Sequence, residues 1–448
     1  MKNDLNLAEV SLYEVHRKIY PRAVHGKFAV WRWTLVWATQ LAFYGGAWLT
    51  WNERQAVLFD IAARKFYIFG LVFWPQDIVY LTVLLILAAL SLFLFTALAG
   101  RLWCGYACPQ TVYTEIFLWI ERVIEGDRNA RMRLDQQKLH AKKLGLKAAK
   151  HTAWIALSLW TGLTFVGYFT PIRELVPSAL ALSLGPWEAF WVLFYGFATY
   201  GNAGWMREQV CKYMCPYARF QSAMFDQDTL IITYDAKRGE PRGKGAGTGD
   251  CVDCGVCVQV CPTGIDIRDG LQYECIGCAA CIDGCNQVMA KLRRPQNLIR
   301  YSTTRAMAGE PTRVLRPRVL AYAGILLAVA LAAGASLYLR VPLKVDVIRD
   351  RAAISREVDG GLIENVYRLQ IMNTTEQARA FEITVSGLPG IHIWGESTVG
   401  MPAAASRMVP VKVRAEAAAP GSHPVQFTVR ALGAHGVAVT ERSLFIVR

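Results

Sequence analysis

The sequence predicts a polytopic α-helical membrane protein that carries a cysteine-rich soluble segment and ends in a β-sandwich. Three observations carry this expectation: five uncharged apolar runs, eight cysteines crowded into residues 251–285, and a cysteine-free stretch of short alternating segments at 343–448.

The runs are Trp33–Trp51, Ile78–Gly100, Ala153–Ile172, Ala189–Met206 and Val319–Leu339. Each approaches the about 20 residues that a membrane helix needs. The first starts too late, and lacks the small-residue cleavage site, for a secretory signal. Phe66–Trp74 is apolar and aromatic but too short to span, and reads as an interfacial segment. Lysine and arginine set the direction. Only Arg54, Arg64 and Lys65 lie between the first two runs, and only Arg173 between the third and fourth. The 101–152 segment holds ten basic residues, from Arg101 to Lys150, and 207–318 is similarly rich, with Arg293, Arg294, Arg313, Arg316 and Arg318 near its end. By the positive-inside rule the N-terminus, 101–152 and 207–318 face the cytoplasm, and 340–448 lies outside, in the periplasm of a Gram-negative cell. The protein is therefore expected as a multi-pass protein of the bacterial cytoplasmic (inner) membrane. The net charge of +14 is read as a topology signal. No reading motif accompanies it, so no nucleic-acid partner is expected. The runs contain no histidine, which argues against a bis-histidine haem, and few ionisable groups, which argues against a pump-type pathway.

These signals divide the chain into a cytoplasmic segment (1–32), a four-helix membrane core of two hairpins (33–206), a cytoplasmic cysteine-rich domain (207–318), a fifth helix (319–339) and an outer β domain (340–448). The stretches "KVDVIRD", "VYRLQIMN", "FEITVSG", "MVPVKVRAE", "HPVQFTVR" and "RSLFIVR" alternate with period two. Six or seven such strands in this length predict a sandwich of immunoglobulin type, without a cysteine pair and without a catalytic constellation.

All twelve cysteines lie between Cys104 and Cys285. A disulfide framework would spread them through a short secreted chain; crowding argues for metal ligation. "CVDCGVCVQVCPTG" and "CIGCAACIDGCNQ" each read Cys-x2-Cys-x2-Cys-x3-Cys. This is the double-cluster ferredoxin spacing, in which the fourth cysteine of each run serves the other cluster. Cys251, Cys254, Cys257 and Cys285 are assigned to one [4Fe–4S] cluster, and Cys261, Cys275, Cys278 and Cys281 to the second. Structural zinc also uses paired cysteines, but two tandem runs of identical spacing favour iron–sulfur. Pro262 follows Cys261 as expected, whereas Asn286 follows Cys285. The Gly-rich "GEPRGKGAGTGD" lacks the phosphate-binding order and reads as a flexible lead-in.

Four cysteines remain. "CGYACPQ" holds Cys104 and Cys108; 107 residues on, "CKYMCPY" holds Cys211 and Cys215. Each motif follows an apolar run, as in an internal repeat of two hairpins with thiol pairs at their cytoplasmic exits. A residue before proline avoids the α region, and proline is welcome at the first helical position. Cys108 and Cys215 are therefore expected as N-caps, with pKa values lowered by the helix ends. Three readings stay open: packing cysteines, a redox dithiol, or a copper site favoured by soft thiolates and by Met206 and Met214.

The stretches "GRLWCGYACPQTVYTEIF", "GNAGWMREQVCKYMCPYARFQSAMFDQDTLIITYD", "RGEPRG" and the two ferredoxin runs resemble the cytochrome c oxidase accessory proteins known as CcoG, FixG or RdxA, over nearly the whole chain. The resemblance implies a role in assembly of a cbb3-type haem–copper oxidase, with Cu(II) reduced to Cu(I), a cupric reductase-type activity, at Cys104, Cys108, Cys211 and Cys215. It implies oxidase assembly factors or a copper chaperone as partners; the electron donor and the oligomeric state stay open. The membrane quinol dehydrogenases of nitrate-reductase systems share the four-span core, the two CxxxCP motifs and the clusters, but lack the fifth span and outer sandwich. Quinol oxidation toward a periplasmic acceptor is the alternative, and a non-redox assembly scaffold the third.

Overall fold

A computed structural model describes residues 18–245, 247–350, 355–358, 360–416, 419–433 and 437–447. The chain divides into two compact units. Among the described residues, the first comprises those from 18 to 45, 89 to 166 and 181 to 324; the second those from 46 to 88, 167 to 180 and 325 to 447.

Helices form over all five apolar runs, with shifted ends. They are α1 (Lys27–Gly46), α2 (Ile78–Ala99), α5 (Ala141–Val166), α6 (Pro186–Thr199) and α9 (Pro317–Tyr338); α3 (Leu102–Tyr106), α4 (Pro109–Glu125), α7 (Pro216–Met224) and α8 (Ala280–Lys291) complete the set used below. Two, Pro75–Ala99 and Pro317–Tyr338, are long and apolar enough to cross a membrane and are almost wholly exposed along their apolar windows. At 1.5 Å per residue the 22 residues of α9 reach about 33 Å, against a hydrocarbon core of about 30 Å. α1 starts earlier than expected because Arg32 is accommodated inside the fold: Ala29, Arg32, Val36 and Gln40 form its buried stripe, while Val30, Trp31, Trp37 and Leu41 are exposed. The basic stretch expected as a loop is helical. α5 carries Lys147 and Lys150 into ion pairs with Glu125 at 3.0 and 3.1 Å. The fourth run is α-helical only to Thr199; Tyr200–Met206 continues as π-helix, a form concentrated at functional sites.

In the first unit, α5 and α6 touch where Gly162 faces the Val192 carbonyl; a Cβ there would sit 2.4 Å from that oxygen. Trp154 of α5 is buried, stacks on Phe117 of α4 at 5.1 Å and donates Nε1–H to its carbonyl at 3.3 Å. A short antiparallel pair, β1 (Ile231–Tyr234) and β2 (Ile299–Ser302), registers Ile231 with Ser302 and closes the cysteine-rich segment.

The second unit holds the sandwich. Its strands are β3 (Leu343–Arg349), β4 (Arg356–Val358), β5 (Leu362–Asn373), β6 (Arg379–Ser386), β7 (His392–Trp394), β8 (Thr398–Met401), β9 (Ser406–Ala415), β10 (Gly421–Ala431) and β11 (Ala438–Val447). One sheet runs β7-β9-β5-β3, with β4 also on β5; the other runs β8-β6-β10-β11. All pairs are antiparallel. The six alternating stretches fall on the six long strands. Alternate residues fill the core: Tyr367, Leu369 and Ile371 from β5, and Val425, Phe427 and Val429 from β10. The short β4, β7 and β8 escape a period-two reading because three or four residues carry too little pattern. The Phe66–Trp74 segment is not a lone interfacial stretch. It supplies strands Lys65–Ile68 and Leu71–Phe73 of a meander, in which Lys65–Ile68 pairs with Val57–Asp60 on one side and with Leu71–Phe73 on the other.

Candidate metal centre

The two cysteine runs fold with one backbone pattern. In the first, Asp253 (φ 51°) and Gly255 (φ 65°) flank Cys254; in the second, Gly277 (φ 70°) and Ala279 (φ 58°) flank Cys278. Left-handed residues on both sides of the middle cysteine curl each loop around one point. For Asp253 and Ala279 that conformation costs roughly 1–2 kcal/mol each, and such strain persists where a site requires it. α8 then carries Cys281 and Cys285 at i and i+4. Gly284 between them packs against Val256 and Val260, with its Cβ position 3.2–3.3 Å from their methyls.

This arrangement makes two small cavities. Cys251, Cys254, Cys257 and Cys285 line the first, with Tyr234, Met289, Leu298 and Ile299. Cys261, Cys275, Cys278 and Cys281 line the second, joined by Cys257 and by Ile232, Ile265, Ile267 and Ile276. Cys285 of the second run thus lies with the first run's cysteines, and Cys261 of the first with the second run's. Among the described residues no three Cys, His, Asp or Glu side chains are close enough to hold a single metal ion. A cubane is larger than one ion and takes thiolates set further apart, so the residues fit iron–sulfur better than zinc. Burial raises the thiol pKa to about 11 at Cys257 and Cys278 and to about 12 at Cys275 and Cys285. Without a cation these thiols hold their protons at neutral pH, and ligation must release them.

The loop of the second cavity is tied down by groups that the sequence reading missed. Arg32 of α1, buried, donates to the Cys278 carbonyl at 2.7 Å. Arg101, equally buried, donates to the carbonyls of Tyr273, Cys275 (3.3 Å) and, in α7, Ala218. Tyr301 donates to the Gly277 carbonyl at 2.6 Å. Asp283 of α8 accepts from the Phe28 and Ala29 amides at 3.2 and 2.7 Å, satisfying two orphan donors at the start of α1. The available signal was an arginine inside the aromatic triplet "WRW": a cation at the edge of an apolar run needs an internal partner.

The CxxxCP motifs lie against the same core. Cys108 and Cys215 cap α4 and α7 in extended conformation, with Pro109 and Pro216 at the first helical position. Cys104 sits in α3, and Cys211 in a π-helical turn, Val210–Met214. Both are half-buried and pack on the core formed by the cluster cysteines. Cys104 donates Sγ–H to Gln221 Oε1 at 3.5 Å. Gly105 lies directly on the second loop: a Cβ there would meet the Cys278 Cα and N at 2.7 Å. The four thiols converge, each of Cys104 and Cys211 feeling Cys108 and Cys215. The lowered pKa expected from the helix end is overturned at Cys108. Burial first, and then repulsion among the thiolates, push Cys104 up to about 11 and Cys211 up to about 12; Cys108 is raised as well, by burial, despite the Gln110 and Thr111 amides. Met214 is exposed.

Against this geometry, three family models match. One described as a 4Fe-4S dicluster domain covers residues 206–304, a 4Fe-4S binding domain covers 81–126, and the IG-like fold at the C-terminus of FixG covers 333–448. The chain is 39% identical over 434 residues to the nitrogen fixation protein FixG of Rhizobium meliloti, covering 86% of this chain and 83% of that one. The chain belongs to the FixG/RdxA family. Protein RdxA of Cereibacter sphaeroides matches at 39% over 413 residues, covering 88% of each chain. Protein RdxB of the same organism matches at 40% over 397 residues, covering 84% of this chain and 83% of its own. As a member of that family, the protein is a membrane-associated iron–sulfur electron-transfer protein.

Proposed function

We propose that the protein carries electrons through two [4Fe–4S] clusters to copper held by the CxxxCP thiols, supplying Cu(I) for assembly of a cbb3-type oxidase. Cys251, Cys254, Cys257 and Cys285 hold the first cluster, and Cys261, Cys275, Cys278 and Cys281 the second; when bound, the clusters supply one-electron transfer. The observation that carries this reading is the pair of cavities, the first lined by Cys251, Cys254, Cys257 and Cys285 and the second by Cys261, Cys275, Cys278 and Cys281 with Cys257 shared, with Gly105 of the first CxxxCP motif lying on the Cys278 backbone. Thiolates are soft ligands that stabilise Cu(I) over Cu(II). A Cu(I) ion is satisfied by two of them, so no triad is required. The chain crosses the inner membrane five times, and residues 340–448 face the periplasm. Periplasm-specific reporters after Arg448 and near Gly245 test this; activity near Gly245 would reverse it.

Anaerobically purified protein should contain about eight irons, four for each of two cubanes. Reduced protein should convert Cu(II) to chelatable Cu(I), and Cys108→Ser with Cys215→Ser should abolish this with the iron content unchanged. One observation favours a second reading: the 4Fe-4S binding domain model covers Cys104 and Cys108. Four converging thiols then hold a third cluster, and the same double variant loses about a third of the iron.

A further inference from the structure

A cavity of about 390 Å³ in the first unit lies outside both cluster cavities and reaches Cys278 and Cys211. Its volume is in the range of small-molecule sites. The lining changes along its depth. At the rim, Val30 and Trp37 of α1 are exposed and apolar, with Trp33 beside them. At the inner end lie Arg32, Cys278 and Ile276, all buried. Between them α4 contributes Thr111, Thr114, Glu115 and Leu118. Glu115 is half-buried and has no hydrogen-bond or ion-pair partner among the described residues. It lies within electrostatic reach of Arg32 and Cys278. His25 forms an exposed, water-facing edge of the same cavity.

We propose that this cavity is the electron-input site and that its occupant is a lipid-soluble quinol. The inference rests on the iron–sulfur reading above. An exposed aromatic and aliphatic rim on a helix of a membrane-associated protein admits a ligand from the lipid rather than from water. A redox ligand that lives in lipid and sheds protons when oxidised needs a base beside an electron acceptor, and Glu115 and Cys278 supply that pair of positions. The quinol loses two electrons and two protons and becomes the quinone. The electrons pass singly to the two iron–sulfur clusters, one to each, entering beside Cys278. Glu115 accepts each proton in turn and passes it to water at the His25 edge. Arg32 faces the ring oxygen that bears negative charge between the two losses.

Decylubiquinol mixed anaerobically with the full-length, cluster-loaded protein should bleach the cluster absorbance and generate the reduced-cluster EPR signal. Glu115→Gln should slow that bleaching at least tenfold, while dithionite reduction and iron content stay as in the parent. Thr114→Trp, which adds bulk to the cavity beside Glu115 and replaces no cysteine, should act likewise. An azido-ubiquinone should label peptides spanning 27–37 and 106–118, and decylubiquinol should compete. Clusters that dithionite bleaches and decylubiquinol does not would overturn the site and leave the iron–sulfur reading standing. Labelling that an azidophospholipid reproduces, and that quinol fails to compete, would mark a lipid seat and overturn it too. A chain without iron would end both readings.

Discussion

At the first cavity Cys254 is exposed to solvent, and the cation in the lining, Arg268, is engaged by Asp253 and Asp266 at 2.6 Å each. At the second cavity Cys278 and Cys281 are buried, and Arg32 and Arg101 give their protons to backbone carbonyls of the cysteine loop, with no ion pair among the described residues. The two loops share a backbone pattern, so the difference lies in what surrounds them. One set reaches solvent at Cys254. The other is built into the helices that carry the CxxxCP thiols, and two buried cations without an ion pair among the described residues face it.

The largest effect should come from breaking the buried set. Cys281→Ala removes a thiol from the middle of α8 and from the core shared by both cavities. It should halve the iron, from about eight to about four, and lower the melting temperature markedly, because the second loop loses the ligation that holds its left-handed residues. Cys254→Ala, at the exposed rim, should cost one EPR component with a much smaller fall in melting temperature. A larger fall for Cys254→Ala would invert the assignment of the structural set.

Next comes the contact between the thiol motif and the second loop. In Gly105→Val the added carbons meet backbone atoms of Cys278, which cannot swing aside. Overpacking of this kind costs roughly 1–3 kcal/mol, read as a fall in the chemical denaturation midpoint. The EPR line shape of the second set should change and that of the first should not. Equal changes in both sets would show that the strain spreads through α8 and that the loops are not independent.

Much of this contrast could be read from the sequence, and some could not. The crossed cysteine sets and the proline-led caps at Cys108 and Cys215 follow from spacing and local backbone rules, which act within a few residues. The six long strands of the sandwich follow for the same reason: Tyr367, Leu369 and Ile371 alternate in the chain as they do in the core. Charge was harder, because its meaning depends on partners distant in sequence. Lys150 and Arg131 counted in the topology signal, yet both are buried and converge with Arg207 on Glu121, Arg131 at 2.7 Å and Arg207 at 2.8 Å. The Cys108 thiol departs from the lowered pKa expected of it because the helix-end effect is local, while burial and Cys215, 107 residues away, raise it.

The electrostatic contrast itself is tested by neutralising Arg32. A reduced cluster carries one more negative charge than an oxidised one, so a buried cation nearby favours reduction. Arg32→Gln keeps a donor for the Cys278 carbonyl and removes the charge. The second set should become harder to reduce by about tenfold in its equilibrium constant, a fall of about 59 mV for a one-electron couple, read by EPR-monitored titration with unchanged iron content. A potential that does not move would mean that Arg32 acts only by holding the loop.

The smallest effect is expected from the matching change at the first cavity, and it completes the comparison. Arg268 lines that cavity, but Asp266 and Asp253 surround its guanidinium, and Asp253 is itself one of the left-handed residues flanking Cys254. The cluster therefore faces a cation with two carboxylates beside it. Asp266 is held below the usual carboxylate range, chiefly by its hydrogen bond from Arg268, so the pair stays charged and mutually compensated at neutral pH. In Arg268→Gln the positive charge goes and the two carboxylates remain. The potential of the first set should fall by less than that of the second set in Arg32→Gln, because solvent at the exposed Cys254 screens the change. Raising the salt concentration should shrink the Arg268 effect further and leave the Arg32 effect nearly intact, since buried charges are screened less. Equal shifts with equal salt dependence would remove the distinction between a solvent-facing and a protein-enclosed set.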